Sequence, residues 1–243
     1  MEIGGKTALV TGAGSGIGRA TAVAFAQKGA KTVWLLDRDE AGARETAARV
    51  EAAGAVALVR VLELTDFGAL ETVFDQADAA DGLDIVFNNA GMVVGLQLFP
   101  ETSPERIHAI VDLNLKAVIF GTQWAVRQMA RRGGGVVVNT CSTAALHTGY
   151  RDFLYTATKA AVLSFSKSCQ PLKETHGVRV NTVLPGLVNT PILKTTGDGE
   201  LAPWMAPILA NNKALEPEDI AEAVVRIVED DAMAGEAIEV RSS

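Results

Sequence analysis

The chain has 243 residues, of which 48% are hydrophobic and 21% charged, and its formal net charge is −7. This acidic balance, with an aromatic content of only 5%, argues against a nucleic-acid-binding protein, which needs clustered Lys and Arg or aromatic stacking platforms. Two cysteines and three isolated histidines suggest neither a disulfide framework nor a metal site, and no apolar run is long enough to span a membrane. Because the chain starts with polar residues rather than a signal peptide, we expect a cytoplasmic protein.

Short apolar runs typical of buried strands alternate with longer helical stretches along the chain. The predicted strands are 7–10, 32–36, 56–61, 85–87, 136–138, 178–180 and 237–240. The predicted helices are 17–27, 40–53, 70–79, 104–131, 153–174 and 217–229. This alternation indicates right-handed crossovers between parallel strands. We therefore predict one domain over residues 1–243, an α/β doubly wound (Rossmann) parallel sheet of about seven strands with helices on both faces.

A glycine-rich loop follows the first predicted strand and precedes the first predicted helix. It fits the pattern G-x-x-x-G-x-G at Gly12, Gly16 and Gly18, with Ser15 in the middle and Ile17 opening the helix. Glycines at such a turn let the backbone approach a pyrophosphate, which then lies at the helix N-terminus. The stricter pattern G-x-G-x-x-G is absent, but the strand–turn–helix context predicts a dinucleotide-binding domain.

The choice of dinucleotide depends on Asp37, which ends the second predicted strand 19 residues after Gly18. An acidic side chain at this place accepts hydrogen bonds from ribose hydroxyls and repels a 2′-phosphate. The neighbouring Arg38 could instead pair with such a phosphate, so NADP is the alternative. Since the glycine loop contains no basic residue, NAD is the expected cofactor.

Tyr155 and Lys159 lie one helical turn apart near the start of a predicted helix. A cation beside a phenol favours the phenolate, so the pair predicts a general acid/base whose phenol pKa lies below its usual value of about 10. The same spacing is also common on helices for packing alone. Ser142 follows a predicted strand at the edge where α/β sheets bind ligands, so its hydroxyl could hold a substrate oxygen or belong to an ordinary turn. Asp152 is expected to cap the coming helix rather than face the pocket.

The segment 186–213 is the most irregular part of the chain. A loop this long in a compact domain is usually functional or disordered. Its apolar side chains predict a lid over an apolar ligand, and the alternatives are a subunit interface or a short packed helix. These side chains are Ile192, Leu193, Leu201, Trp204, Met205, Ile208 and Leu209. Elsewhere, the residues expected to shape the substrate pocket are Val93, Val94, Leu96, Leu146, His147 and Phe153.

Five motifs occur in the order and spacing seen in short-chain dehydrogenases/reductases, which the chain resembles from residue 6 to about 191. They are Thr11-Gly12-x3-Gly16-x-Gly18, Asn88-Asn89-Ala90-Gly91, Ser142, Tyr155-x3-Lys159 and Pro185-Gly186. The ending of the chain also resembles, more weakly, the hydroxyprostaglandin dehydrogenase branch. Two features depart from the family pattern. The family often has an Asp followed by a hydrophobic residue at the adenine contact, where this chain has Glu63-Leu64. The chain also lacks the frequent V-D-G-G tail.

The resemblance implies roles for the catalytic candidates. Tyr155 would exchange a proton with the substrate oxygen, Lys159 would lower its pKa and bind the nicotinamide ribose, and Ser142 would hydrogen-bond the reacting oxygen. Asn114 would hold a water in the proton relay. Further cofactor contacts are implied at Asn89, Ala90, Gly91, Pro185, Gly186, Val188 and Thr190.

We therefore expect an NAD-dependent oxidoreductase that transfers a hydride between nicotinamide and a secondary alcohol or ketone with an apolar body. One alternative is an NADPH-dependent carbonyl reductase that uses Arg38. Another is a non-catalytic dinucleotide-binding scaffold. A site without catalytic activity, however, has no chemical need for Ser142, Tyr155, Lys159 and Asn114. The expected partners are a small-molecule substrate and further copies of the chain, as a dimer or tetramer, with neither nucleic acid nor a membrane.

Overall fold

The computed structural model describes residues 1–147, 150–197 and 200–242. Its centre is a seven-stranded parallel sheet in the order β3-β2-β1-β4-β5-β6-β7. The strands are β1 Thr7–Thr11, β2 Thr32–Asp37, β3 Val56–Val61, β4 Ile85–Asn88, β5 Gly135–Thr140, β6 Val178–Pro185 and β7 Ala237–Val240. The α-helices are α1 Gly16–Gln27, α2 Glu40–Ala52, α3 Phe67–Ala80, α4 Pro104–Val111, α5 Ala117–Ala130, α6 Phe153–Ser168, α7 Leu172–His176, α8 Ala206–Asn211 and α9 Pro217–Glu229. The predicted doubly wound fold is confirmed.

Two hydrophobic cores lie on opposite faces of the sheet, because successive strand side chains point to opposite sides. On β2, Val33 and Leu35 pack into the core that α1 and α9 cover, whereas Trp34 and Leu36 pack into the core that α3 and α5 cover. Covering on both faces explains why the central strands are continuous apolar runs rather than alternating ones. Their carboxyl ends meet at one edge, and the strand order reverses there between β1 and β4.

Three predicted segments differ from the structure in their detail. The predicted helix 104–131 contains a π-helical turn at Asp112–Lys116 between α4 and α5. The predicted helix 153–174 breaks before Pro171, whose ring excludes an interior helical position, and α7 follows. The predicted loop 186–213 contains a 3₁₀ turn at Pro191–Thr196 as well as α8, and residues 198–199 of that prediction lie outside the described residues.

None of the helices in the described ranges combines the length and the hydropathy that a membrane crossing requires.

Candidate active site

A cavity of about 790 Å³ opens at the carboxyl edge of the sheet. It is bordered by the glycine loop, the ends of β4, β5 and β6, and the segment that follows β6. Most of the predicted site residues line it, namely Gly12, Ser15, Gly16, Ile17, Asp37, Arg38, Glu63, Leu64, Asn89, Ala90, Gly91, Ser142, Tyr155, Lys159, Pro185, Gly186, Val188 and Thr190. Gly18 and Asn114 are buried behind its wall.

Glycine is required in the glycine-rich loop because a larger residue would clash with the backbone or strain it. A Cβ added at Gly18 would lie only 2.0 Å from the carbonyl oxygen of Gly12, and Gly12 and Gly16 both have positive φ. Ser15 precedes α1 but makes no capping bond with its side chain. The first amides of α1 therefore reach the cavity without a side-chain acceptor, and a helix N-terminus in this condition suits a phosphate group.

Asp37 is fixed at one end of the cavity by backbone amides. Its two carboxylate oxygens accept hydrogen bonds from the amides of Gly14 at 2.7 Å and Asp39 at 2.9 Å. The side chain of the adjacent Arg38 is 76% exposed, and its guanidinium lies 3.7 Å from Glu63. Such a long, exposed ion pair holds Arg38 weakly. This end of the cavity therefore combines one fixed carboxylate with one exposed and weakly paired cation.

Lys159 is buried beside Tyr155. Its Nζ donates a 2.9 Å hydrogen bond to the Thr140 carbonyl at the end of β5 and lies 5.7 Å from the centre of the Tyr155 ring. The residue is only 3% exposed. Burial disfavours the charged form and lowers the pKa of Lys159 to about 8. The ammonium therefore remains charged at neutral pH, inside the protein.

The pKa of the Tyr155 phenol is raised, whereas its spacing to Lys159 predicts a lowered value. Its ring faces the cavity and is partly accessible, yet the surrounding protein desolvates the phenolate and raises the pKa well above its ordinary value. The nearby Ser142 hydroxyl opposes this rise in pKa, whereas Tyr150 and Cys141 add to it. The predicted lowering fails here because desolvation of the phenolate outweighs the nearby positive charge of Lys159, whose Nζ donates its hydrogen bond to Thr140 instead.

Asn114 occupies the π-helical turn and joins it to the backbone after β4. Its Oδ1 accepts from the Met92 amide at 2.8 Å, and its Nδ2 donates to the Met92 carbonyl at 2.8 Å and to Thr158 at 3.2 Å. A Cβ added at Gly91 would lie 3.3 Å from Asn114 Oδ1 and 3.4 Å from Lys159 Nζ. Asn114 and Lys159, both predicted site residues, therefore flank the same short stretch of cavity wall at Gly91.

Comparison with known proteins identifies the family. Residues 6–201 match the family model described as short chain dehydrogenase. The chain belongs to the short-chain dehydrogenase/reductase family.

Individual relatives of the chain agree with that assignment. The Probable oxidoreductase EphD of Mycobacterium tuberculosis is 39% identical over 190 residues, and this match covers 77% of the chain but only 32% of the length of EphD. The 2,5-dichloro-2,5-cyclohexadiene-1,4-diol dehydrogenase LinX of Sphingobium indicum is 34% identical over 232 residues, covering 95% of the chain and 92% of LinX. The crystal structure of 3-ketoacyl-(acyl-carrier-protein) reductase from Brucella melitensis, complexed with NADH, superposes with a TM-score of 0.87 at 30% identity and 98% coverage of both chains.

The wall segment of the cavity, residues 92–94, is held by side chains rather than by a neighbouring strand. Asp152 accepts hydrogen bonds from the Val94 amide at 2.7 Å and from the Tyr155 amide at 2.9 Å. Arg106 donates to the Val93 and Val94 carbonyls, both at 2.8 Å. The predicted helix cap at Asp152 is confirmed, but its second bond and the role of Arg106 have no signal in the sequence, because they join separate elements.

The substrate end of the cavity only partly matches the predicted pocket. Val93 and His147 line it, whereas Val94 is buried and Leu96, Leu146 and Phe153 point to solvent. The segment 186–213 borders the cavity through Pro191, Ile192, Leu193, Thr196, Met205, Ile208 and Asn212. Tyr150, Arg241 and Ser242 also line the cavity, although no motif marks them. Among the described residues, no group of three or more His, Cys, Asp or Glu could hold a metal ion.

Proposed function

We propose that the protein is an NAD-dependent dehydrogenase that interconverts a secondary alcohol with an apolar body and the corresponding ketone. The observation that carries the proposal is the grouping of Tyr155, Ser142 and the buried ammonium of Lys159 in one cavity with the fixed carboxylate of Asp37. Homo-oligomeric assembly and a cytoplasmic location stay predictions.

In this proposal the cofactor binds along the cavity from the glycine loop to Lys159. The amides at the start of α1 bind the pyrophosphate, and Asp37 accepts from the adenosine ribose. Bound NAD supplies the hydride acceptor, and its reduced form supplies the donor. The other proposed contacts are Glu63 and Leu64 at the adenine, Asn89, Ala90 and Gly91 along the cleft, Lys159 at the second ribose, and Pro185, Gly186, Val188 and Thr190 at the nicotinamide.

The proton is moved by the chain's own residues. Ser142 holds the substrate oxygen, and Tyr155 gives a proton to it during ketone reduction or removes one during alcohol oxidation. The ammonium of Lys159, 5.7 Å from the centre of the Tyr155 ring, adds a positive charge beside the phenolate that forms, although burial keeps the phenol pKa above its ordinary value. Asn114 keeps the wall beside Lys159 in place. Since burial raises the pKa of Tyr155, oxidation should speed up as the pH rises, whereas reduction should not.

The proposed substrate class follows from the walls around the reacting end. Val93, Ile192, Leu193, Met205 and Ile208 present apolar surface there. The ring of Trp204 packs edge-on against Tyr150, with centroids 5.6 Å apart, and so braces the segment after β6. LinX, by its name, acts on a cyclohexadiene diol. An alicyclic secondary alcohol is therefore the first substrate to test.

The acid/base assignment is tested by turnover of a panel of alicyclic secondary alcohols. We expect Tyr155→Phe to lower kcat by about 100- to 10,000-fold while NADH affinity, followed by nicotinamide fluorescence, is retained. Tyr150→Phe is the matched control, because it removes the same hydroxyl from the adjacent ring, and its loss should stay within about tenfold. Equal activity of Tyr155→Phe and wild type would refute the assignment. NADH binding without turnover of any substrate would favour the scaffold alternative.

The choice of cofactor is tested separately by titration with NADH and NADPH. We expect NADH to bind about tenfold more tightly or better, because Asp37 faces a 2′-phosphate with like charge. Asp37→Ser should narrow this difference, since Arg38 remains free to pair with the phosphate. Tighter binding of NADPH to the wild type would support the reductase alternative, which the exposed and weakly paired Arg38 favours.

A further inference from the structure

The C-terminal tail meets the loop after Ser142 at the wall of the cavity. Nη2 of Arg241 lies 2.7 Å from Nε2 of His147, 94 positions away in the chain. Nε of Arg241 donates a 2.7 Å bond to Glu239. Arg241 and His147 both line the cavity, whereas Glu239 does not. Two contacts therefore fix the guanidinium at the cavity wall.

This contact belongs to the substrate end of the cavity. Arg241 directly follows β7, where the Val240 carbonyl accepts a 2.9 Å bond from the amide of Gly186. His147 directly follows the 3₁₀ turn that Ser142 caps. Both residues thus extend from segments that border the reacting groups, whereas Asp37 and its neighbours occupy the opposite end.

The bonding pattern leaves the charge of Arg241 available. An Arg nitrogen can only donate, so this hydrogen bond has Nε2 of His147 as its acceptor and orients the guanidinium without pairing it with a negative charge. Glu239 accepts a hydrogen bond only from Nε and is itself exposed to solvent, so its carboxylate compensates the positive charge of Arg241 weakly. Within the described ranges, Nη1 has no hydrogen-bond partner. The side chain is 50% exposed, and no carboxylate lines this end of the cavity among the described residues.

We infer that Arg241, oriented by His147 and Glu239, binds an acidic group of the substrate, a carboxylate in particular, at the far end from the reacting alcohol. Nη1 can donate a charge-assisted hydrogen bond to a carboxylate, and the guanidinium charge adds its attraction. The substrate is then an apolar body with a secondary alcohol at one end and an acid at the other. This inference rests on the proposed dehydrogenase function.

The kinetic test compares 4-hydroxycyclohexanecarboxylate with its methyl ester, which share the ring and the alcohol. We expect the wild type to prefer the acid in kcat/KM by about 10- to 100-fold, as for a charged hydrogen-bonded pair. Arg241→Met should abolish the preference, mainly through KM for the acid. Arg44→Met, which removes an exposed arginine paired with Glu40 on α2, should keep the wild-type ratio. An acid preference that is absent from the wild type, or that survives in Arg241→Met, would overturn the inference.

A binding measurement separates this inference from the proposed function. Calorimetry compares cyclohexanecarboxylate with cyclohexanecarboxamide, with and without NAD, in the wild type and in Arg241→Met. Tighter binding of the carboxylate that depends on Arg241 supports the acid site even if no alcohol is oxidised, and in that case only the proposed reaction fails. Equal binding of both compounds to the wild type overturns the acid site, whatever the turnover.

Discussion

Replacing Lys159 with methionine should stabilise the folded protein at neutral pH while abolishing turnover. The structure lowers the pKa of Lys159 from its ordinary 10.5 to about 8 by burial, and this difference corresponds to about 3 kcal/mol of destabilisation while the group is charged. Methionine removes that penalty but also the hydrogen bond to Thr140, which offsets about 1 kcal/mol. We therefore expect the free energy of unfolding at pH 7 to rise by about 2 kcal/mol.

The difference in the free energy of unfolding between the wild type and Lys159→Met should change with pH. Below pH 8 the lysine is charged in both the folded and the unfolded chain, so the penalty is complete. Between pH 8 and 10.5 the folded protein loses the charge first, so the wild type gains stability relative to Lys159→Met and the advantage of the variant disappears.

Urea denaturation of both proteins from pH 6.5 to 10.5 measures this difference, and groups common to both proteins cancel. Lys167→Met, at an exposed lysine two turns later on α6, is the matched control and should show no such pH-dependent gain. If the wild type and Lys159→Met change stability in parallel across this range, the pKa of Lys159 is not lowered and the reasoning is wrong.

Two further substitutions test the scaffold of the site by urea denaturation. Gly18→Ala should cost roughly 1–3 kcal/mol and weaken NADH binding, since the new methyl meets the rigid Gly12 carbonyl at 2.0 Å; Gly4→Ala, whose nearest neighbour atom is 4.0 Å away, is the control. Asp152→Asn should cost about 1–2 kcal/mol, because one amide oxygen cannot serve both backbone amides that the carboxylate accepts from, Val94 among them. Unchanged stability in either variant would contradict these contacts.

The fold could be predicted from the sequence because each strand carries its own local signal. β3 and β7 have the predicted bounds, and the other five strands differ from prediction only in length. The largest error is β6, which continues to Pro185, since Asn181 and Thr182 are polar yet fully buried. Asn181 is satisfied by bonds with Met233 and Glu236, far along the chain, so its burial has no local signal.

In the candidate site, too, local features could be predicted from the sequence, whereas features that depend on contacts between distant elements could not. Spacing places Tyr155 and Lys159 together because one helical turn fixes their geometry. Spacing does not give their pKa values, which depend chiefly on how deeply other elements of the fold bury the two side chains. The meeting of His147 with Arg241 likewise depends on the tail after β7, which carries no motif.

The way the wall segment is held has a consequence for how this scaffold can change. Asn114, Arg106 and Asp152 all bind its main chain, so they recognise no side chain there. The side chains of Met92 and Val93, which face the cavity, can therefore be exchanged without disturbing those bonds or the ladder of the sheet. Selection in nature, or a laboratory library at these two positions, can alter substrate preference while the proton-transfer groups keep their places.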